Sequence, residues 1–536
     1  MMTKTQTKNF LTYPASQKLE KLAEHPINLS EAGVLTPERL GHFYAEGCGY
    51  RLLFGTEQVT DEVVNALKQL AIETKAIEKM TQMQNGEVVN KIENYPSENR
   101  PALHTATRDL FNHPRTAKSA KEASAKAKSE IDKLKKFLGK IDTDKKFKEI
   151  ITIGIGGSDL GPRANYIALE PYLKPNRKVH FISNVDPDDA AAVLKSVTDL
   201  KNTLVIVISK SGTTLETAVN EELVAMKFRE KGLNPKDHFI SITQPGTPMD
   251  NRDKYMETFH VWEWIGGRYS STSMVGGVML SFAFGFDVYL EFLRGAHAMD
   301  ETALQSDPMK NLPLLSALLT IWNRNFLSYP TVALIPYSQA LLRYPAHIQQ
   351  VAMESNGKYI DKQGQFVDYK TGPIIWGEPG TNAQHSFFQL LHQGTDTVPV
   401  FMVGFKHSQF DQDAEIQGTT SQEKLLGNMF AQSIALATGQ KSDNPGKFFP
   451  GNRPTSILLG NRLTPYALGA LLSFFENRVD FEGFILDINS FDQEGVELGK
   501  VLAKRIISRI ATQHGKGKEP SYPLGDAYLK HLDGFS

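Results

Sequence analysis

Short apolar runs recur from residue 149 onwards, each closed by glycine or polar residues and followed by a stretch with helical spacing. Residues 149–157 (EIITIGIGG), 178–185 (KVHFISNV), 202–209 (NTLVIVIS), 237–243 (DHFISIT) and 258–264 (TFHVWEW) read as strands. Between them, 186–197 reads as a helix with Asp186 as N-cap and Pro187 at its first position. Residues 215–231 read as a helix that stops at Gly232. Apolar strands alternating with helices predict a parallel, doubly wound sheet. The alternation then repeats. Residues 331–337, 372–378, 398–404 and 455–460 read as strands, 338–355 as a helix interrupted by Pro345, and 381–393 as a helix. The first 115 residues, 45–54 and 61–79 included, lack strand alternation and read as mainly helical. A Lys/Ala-rich helix with a solvated face is expected over 115–148, and 495–513 carries apolar residues at helical spacing. The expected fold is α/β, two tandem doubly wound parallel-sheet domains with helical N- and C-terminal extensions. Its boundaries are drawn at 1–115 (N-terminal extension), 116–300 (first domain), 301–510 (second domain) and 511–536 (tail).

Composition narrows the classes. Of 536 residues 40% are hydrophobic and 22% charged, which excludes a disordered or collagen-like chain. Lys+Arg number 59 against 60 Asp+Glu, so no global basic field exists to hold a nucleic acid. The single cysteine, Cys48, excludes an internal disulfide and any cysteine-based zinc cluster, and fits a reducing compartment. The polar N-terminus, broken by Pro14, lacks the apolar core of a secretory signal. The most apolar stretch, 275–286, is shorter than the ~20 residues of a spanning helix and reads as a buried helix. A cytoplasmic location with no membrane partner is expected.

Two strand-to-helix turns could hold an anion. In 154–161 (GIGGSDLG) glycines admit a close ligand and the next helix offers free N–H groups. The spacing matches neither the dinucleotide fingerprint nor a Walker loop. In 209–216 (SKSGTTLE) four hydroxyls and an ammonium cluster at the carboxyl end of a strand, where open α/β sheets bind ligands. Thr213 and Glu216 also have capping-box spacing, so part of this motif reads equally as a helix start. Further candidates are Arg268, Glu354, His385 and Lys500, each of which, alone, reads equally as an ordinary structural or surface side chain. Metal-protease, paired-cysteine, EF-hand and nucleophile-elbow motifs are missing from the sequence.

Together the segments GIGGSDLGP, SKSGTTLET, GGRYS, MESNGK, GEPGTNAQHSFFQLLHQGT and FDQEGVELGK, with ENRPALHTATR at 98–108, closely resemble the ordered motifs of the glucose-6-phosphate isomerase (phosphoglucose isomerase) family. The matches span about residues 94–510. The resemblance implies two sugar-isomerase-type domains, reversible interconversion of glucose 6-phosphate and fructose 6-phosphate in glycolysis and gluconeogenesis, no metal or organic cofactor, and a homodimer with shared active sites. Carried over by motif, Ser209, Lys210, Ser211 and Thr214 hold the phosphate. Gly157 and Ser158 line the sugar site, and Gln350 and Gln493 fall on substrate positions. Glu354 is the base that moves a proton between C2 and C1, and Arg268 stabilises the enediolate. His385, reaching in from the partner, and Lys500 assist ring opening, while Glu216 orients His385.

The residue types suit that chemistry. One carboxylate can remove a carbon-bound proton and return it next door, and a fixed guanidinium lowers the energy of the anionic intermediate. A remote phosphate anchor orients the reacting carbons. Two segments depart from the family's usual residues. Ser271-Thr272 stands where Leu-Trp is common, and Glu494 where an aromatic is common. Activity is expected to survive both. Other readings are an amino-sugar or mannose phosphate isomerase of the same domain type, against which the Glu354, His385 and Lys500 set argues, and a non-catalytic sugar-phosphate sensor, which would have shed those residues.

Overall fold

The computed structural model describes residues 9–532. Residues 1–8 and 533–536, the outer ends of the expected N-terminal extension and tail, lie outside the described residues. The strands are β1 (Tyr44–Gly47), β2 (Tyr50–Leu53), β3 (Glu149–Ile153), β4 (Lys178–Ile182), β5 (Thr203–Ile208), β6 (Phe239–Thr243), β7 (Glu257–His260), β8 (Thr331–Tyr337), β9 (Ile374–Trp376), β10 (Val400–His407) and β11 (Thr455–Arg462).

Strands β3 to β7 form one sheet in the order β4-β3-β5-β6-β7, every neighbouring pair parallel. All residues of β3, β5 and β6 are buried, as a sheet covered on both faces requires. Ile151, Ile153, Val205 and Val207 pack with Val224 and Phe228 of the helix Leu215–Glu230. Full burial of each such side chain stabilises the fold by ~1.5–3 kcal/mol. The strand order reverses between β3 and β5. Their carboxyl ends carry the glycine turn and the hydroxyl loop, so both motifs open into the crevice where such sheets bind ligands.

The second sheet has the order β1-β2-β11-β10-β8-β9. Strands β8 to β11 are parallel, and β1 and β2 form an antiparallel hairpin at one edge. This hairpin corrects the expectation of helix over 45–54. Cys48 and Gly49 turn it with φ of 50° and 79°, the two positive values of a tight hairpin turn. Its strands alternate exposed Tyr44, Glu46 and Arg51 with buried Ala45 and Leu52. Leu52 pairs with Leu458 of β11, a contact no local pattern announces.

The expected helices are otherwise present at Lys118–Asp144, Pro187–Ser196, Leu215–Glu230, Met274–Phe284 and Glu497–Gln513, with Asp186 capping the second of these through Asp188 N–H. Two details differ. Pro345 opens the short helix Tyr344–Gln349 from its first turn, where its missing N–H is harmless, and so does not interrupt a longer one. The segment around His385 is a 3-10 turn, Asn382–His385, separate from the helix Phe388–Gln393.

The chain divides into two units, 1–490 and 491–536. The second consists of the helices Glu497–Gln513 and Pro523–Leu529, joined by an Arg509–Asp526 ion pair of 2.8 Å. Among the described residues no helix is long and apolar enough to cross a membrane.

Candidate active site

The glycine turn leaves β3 and enters the helix Leu160–Ala168. A Cβ on Gly157 would lie 2.2 Å from the carbonyl carbon of Gly267, so only glycine lets this turn meet the segment carrying Arg268. The Ser270 hydroxyl donates to the Gly157 carbonyl at 3.3 Å across the same junction. Ser158 is half-buried at the end of the turn.

The hydroxyl loop follows β5. Ser209 Oγ and Thr214 Oγ1 share a hydrogen bond of 2.9 Å, and the Thr213 N–H donates to Ser211 Oγ at 3.3 Å. Thr214 is the N-cap of the helix Leu215–Glu230 and makes no side-chain cap, so the first N–H groups of the helix face the loop unclaimed by it. The expected capping box of Thr213 and Glu216 does not form, because Thr213 turns back to Ser211. Lys210 Nζ donates to the carbonyls of Glu263 and Ile265 at 2.9 and 2.8 Å. Burial, with Arg100 nearby, lowers its pKa to about 8. The ammonium thus ties the loop to the strand of chain that leads into Arg268.

Arg268 is only 1% exposed. Its Nε donates to Ser355 Oγ at 2.7 Å and its Nη2 to the Ser490 carbonyl at 2.6 Å. Its Nη1 stands 3.7 Å from Glu354 Oε1. Ser355 and the Ser490 carbonyl help to fix the guanidinium, and the Glu354 carboxylate faces it. Glu354 ends a wider π turn, Gln350–Glu354, and its buried Oε2 has no hydrogen-bond partner. Gln350 points to the glycine turn, with its Nε2 3.4 Å from where a Cβ on Gly156 would stand. Lys358 Nζ closes the far side of the turn by donating to the carbonyls of Glu354 and Ser355, both at 2.8 Å.

Gly157, Arg268, Glu354, Gln350 and the flank of Lys210 are therefore drawn to one crevice in the first unit. His385 is exposed, and no hydrogen bond joins it to Glu216 within the chain. Lys500 and Gln493 belong to the second unit. There Lys500 Nζ pairs with Glu497 at 2.6 Å, and Gln493 precedes the turn Glu494–Val496 that leads into its helix.

Sequence reasoning missed the layer behind Arg268. Tyr269 OH lies 3.0 Å from Ser355 Oγ and donates to Asp480 Oδ1 at 2.8 Å. His104 stacks on the Tyr269 ring at 4.4 Å, and its Nε2 is 3.5 Å from Asp480 Oδ2. Burial pushes Asp480 well above the carboxylate range, and burial together with Arg108 lowers His104 to about 3. His104 is therefore neutral at pH 7. Tyr269, Ser355 and His104 lie within quoted motifs, whereas Asp480 carries no local signal.

An open parallel sheet with a hydroxyl loop at its switch point, beside a carboxylate facing a buried guanidinium, defines a phosphosugar-handling α/β protein. Residues 54–521 match the family model for phosphoglucose isomerase. The chain is 65% identical over 535 residues to the glucose-6-phosphate isomerase of Protochlamydia amoebophila, covering 100% of this chain and 99% of that protein. It is 53% identical to that of Chlamydia pneumoniae, covering 94% and 95%. The crystal structure of a glucose-6-phosphate isomerase from Chlamydia trachomatis superposes with a TM-score of 0.93 at 46% identity, covering 98% of this chain and 99% of that one. The chain belongs to the phosphoglucose isomerase family.

Proposed function

We propose that the chain catalyses reversible isomerisation of D-glucose 6-phosphate and D-fructose 6-phosphate through an enediolate, as a step of glycolysis and gluconeogenesis, using no metal or organic cofactor. Family membership supports the reaction. The observation that carries the mechanism is Glu354 facing buried Arg268 at 3.7 Å beside the glycine turn. The substrate phosphate binds Ser209, Ser211 and Thr214 with the helix N-terminus, and Lys210 adds positive charge at the loop's flank. Gly157, Ser158, Gln350 and Gln493 receive the sugar. His385 and Lys500 move the proton that opens the ring. Glu354 then takes the C2 proton, the released electron pair forms the C1–C2 double bond, and O1 gains the negative charge that Arg268 stabilises. A hydroxyl proton passes from O2 to O1, and Glu354 returns its proton to C1.

The working form in this reading is a cytoplasmic homodimer in which the partner supplies His385, oriented by Glu216. Exposure of His385, and of Leu390 on the helix that follows it, supports this arrangement. A coupled assay of fructose 6-phosphate conversion tests the reading. Glu354→Gln is expected to lower kcat by about 10²–10⁴-fold, the range for losing a general base, and EDTA to change nothing. Wild-type turnover by Glu354→Gln refutes the mechanism. Binding without turnover by the unaltered protein refutes the enzyme.

A further inference from the structure

The glycine turn, the segment after Arg268 and the helix leading into Glu354 converge at one buried point. A Cβ on Gly161 would stand 2.1 Å from Ser271 Oγ, 2.9 Å from His347 Cε1 and 3.2 Å from His347 Nδ1. Ser271 and His347 are at most 1% exposed, and among the described residues neither the hydroxyl nor either ring nitrogen has a hydrogen-bond partner. Asn165, one helical turn after Gly161, adds a fourth buried polar atom without a partner, its Nδ2, while its Oδ1 accepts from Tyr344 OH at 3.3 Å. Four buried polar atoms left without partners are a large penalty unless a shared water serves them. Burial holds the imidazole neutral, with its pKa lowered to about 4, so it offers one donor and one acceptor. A serine hydroxyl matches either role.

His347 lies three residues before Gln350 and seven before Glu354, on the face of the helix turned to the glycine turn. Gln350 meets Gly156 as His347 meets Gly161, so two contacts set the register between this helix and the turn. The π turn that follows departs from regular helix geometry. Lys358 holds its far end, and the near end needs a hold of its own.

We propose that His347 is a positioning residue for Glu354, pinned against the glycine turn by Ser271 through one shared water. The proposal rests on Glu354 as the base.

The test compares kcat, KM and thermal unfolding for Ser271→Ala, His347→Phe, the double variant, His347→Asn and Glu354→Gln in the full chain. Each pin variant is expected to lower kcat about tenfold with KM within about twofold, since a small displacement of the base slows chemistry without loosening the phosphate. The double variant should be no slower than the slower single one. His347→Asn, which keeps a donor and an acceptor, should recover most of the rate. Wild-type kcat in folded Ser271→Ala and His347→Phe, or effects that multiply in the double variant, overturns the pin. If His347→Phe does not fold, Ser271→Ala, which loses a single atom, decides alone. An active Glu354→Gln overturns the mechanism beneath it. An inactive Glu354→Gln beside fully active pin variants overturns the pin only.

Discussion

The hydroxyl loop after β5 and the Arg268–Glu354 centre share one unit and are built in opposite ways. The loop presents an exposed Ser211 and a half-buried Thr214, its hydroxyls bonded to one another, with a helix N-terminus behind them. Its partners can be exchanged for ligand oxygens at little expense. The centre holds a guanidinium at 1% exposure, locked by Ser355 and the Ser490 carbonyl and backed by Tyr269, His104 and Asp480. A group that must stabilise a transient anion gains from being fixed before the charge appears, because nothing then reorganises during reaction. A group that grips a permanent dianion gains from being reachable. In the proposed mechanism this difference suits the loop to binding and the centre to rate.

Arg268→Lys is the strongest attempt to break that assignment. A lysine cannot reach Ser355 Oγ and the Ser490 carbonyl together, so its charge is neither paired nor aimed. kcat should fall about 10²–10³-fold, comparable to losing an oxyanion donor, with KM little changed. Equal losses in binding of substrate and inhibitor would show that the centre also grips the ground state.

Mixing variants asks whether the centre is completed by a partner. Glu354→Gln and His385→Ala should each be nearly inactive alone. In a mixed dimer one site keeps both Glu354 and His385, so co-expression of the two chains should restore activity to a substantial fraction of wild type. No recovery in a demonstrated heterodimer places both residues in the same chain.

At the loop, Ser209→Ala combined with Thr214→Val should raise KM about tenfold and leave kcat within a few-fold, since uniform binding is what is lost. A matching fall in kcat would mean the phosphate anchor also positions the reacting carbons, and the two regions would then be one device.

Motifs next to the chemistry were legible because each lies in a single continuous segment. The glycine turn, the hydroxyl loop and the strands β3 to β6 follow from apolar runs and glycine punctuation, and Arg268 and Glu354 from their motifs. What was not legible depends on distant chain. The hairpin of β1 and β2 is a strand pair only because β11 supplies its neighbour. The helix Pro465–Ile485 is buried over most of its length although it carries Glu476, Arg478, Asp480 and Glu482. Those charges are tolerated because Arg108 reaches Glu476 at 2.6 Å and Tyr269 reaches Asp480 at 2.8 Å. The hold on Arg268 by Ser490 is equally invisible, since a backbone carbonyl has no residue code.

The neutral histidines sharpen the contrast through acid stability. His347 has its folded pKa lowered to about 4, so it contributes stability that is present above ~6.5 and is lost as pH falls from there towards the folded value. Glu57 and Glu476, raised to about 7, have the opposite sign, since their contribution is lost as pH rises through that value. Total stability therefore mixes both signs, and the difference between wild type and His347→Phe isolates one. Between pH 6.5 and 4 the wild type should lose about 1.4 kcal/mol per pH unit relative to the variant, read from urea unfolding. A constant difference would show that the imidazole is not held neutral in the fold.

The smallest expected effect separates the layer behind the centre from the centre itself. Tyr269→Phe removes one hydroxyl, which lies 3.0 Å from Ser355 Oγ and donates to Asp480. Ser355 still accepts from Arg268 Nε, and Arg268 still donates to the Ser490 carbonyl, so the guanidinium keeps two of its fixed partners. Asp480, whose carboxyl pKa is raised by burial, loses one hydrogen bond. kcat should fall only about threefold, and stability by about 1–3 kcal/mol for the buried polar atoms left short. A loss as large as that of Arg268→Lys would contradict the division between a fixed charge and its support, because the hydroxyl would then be acting on the reaction rather than on the arginine.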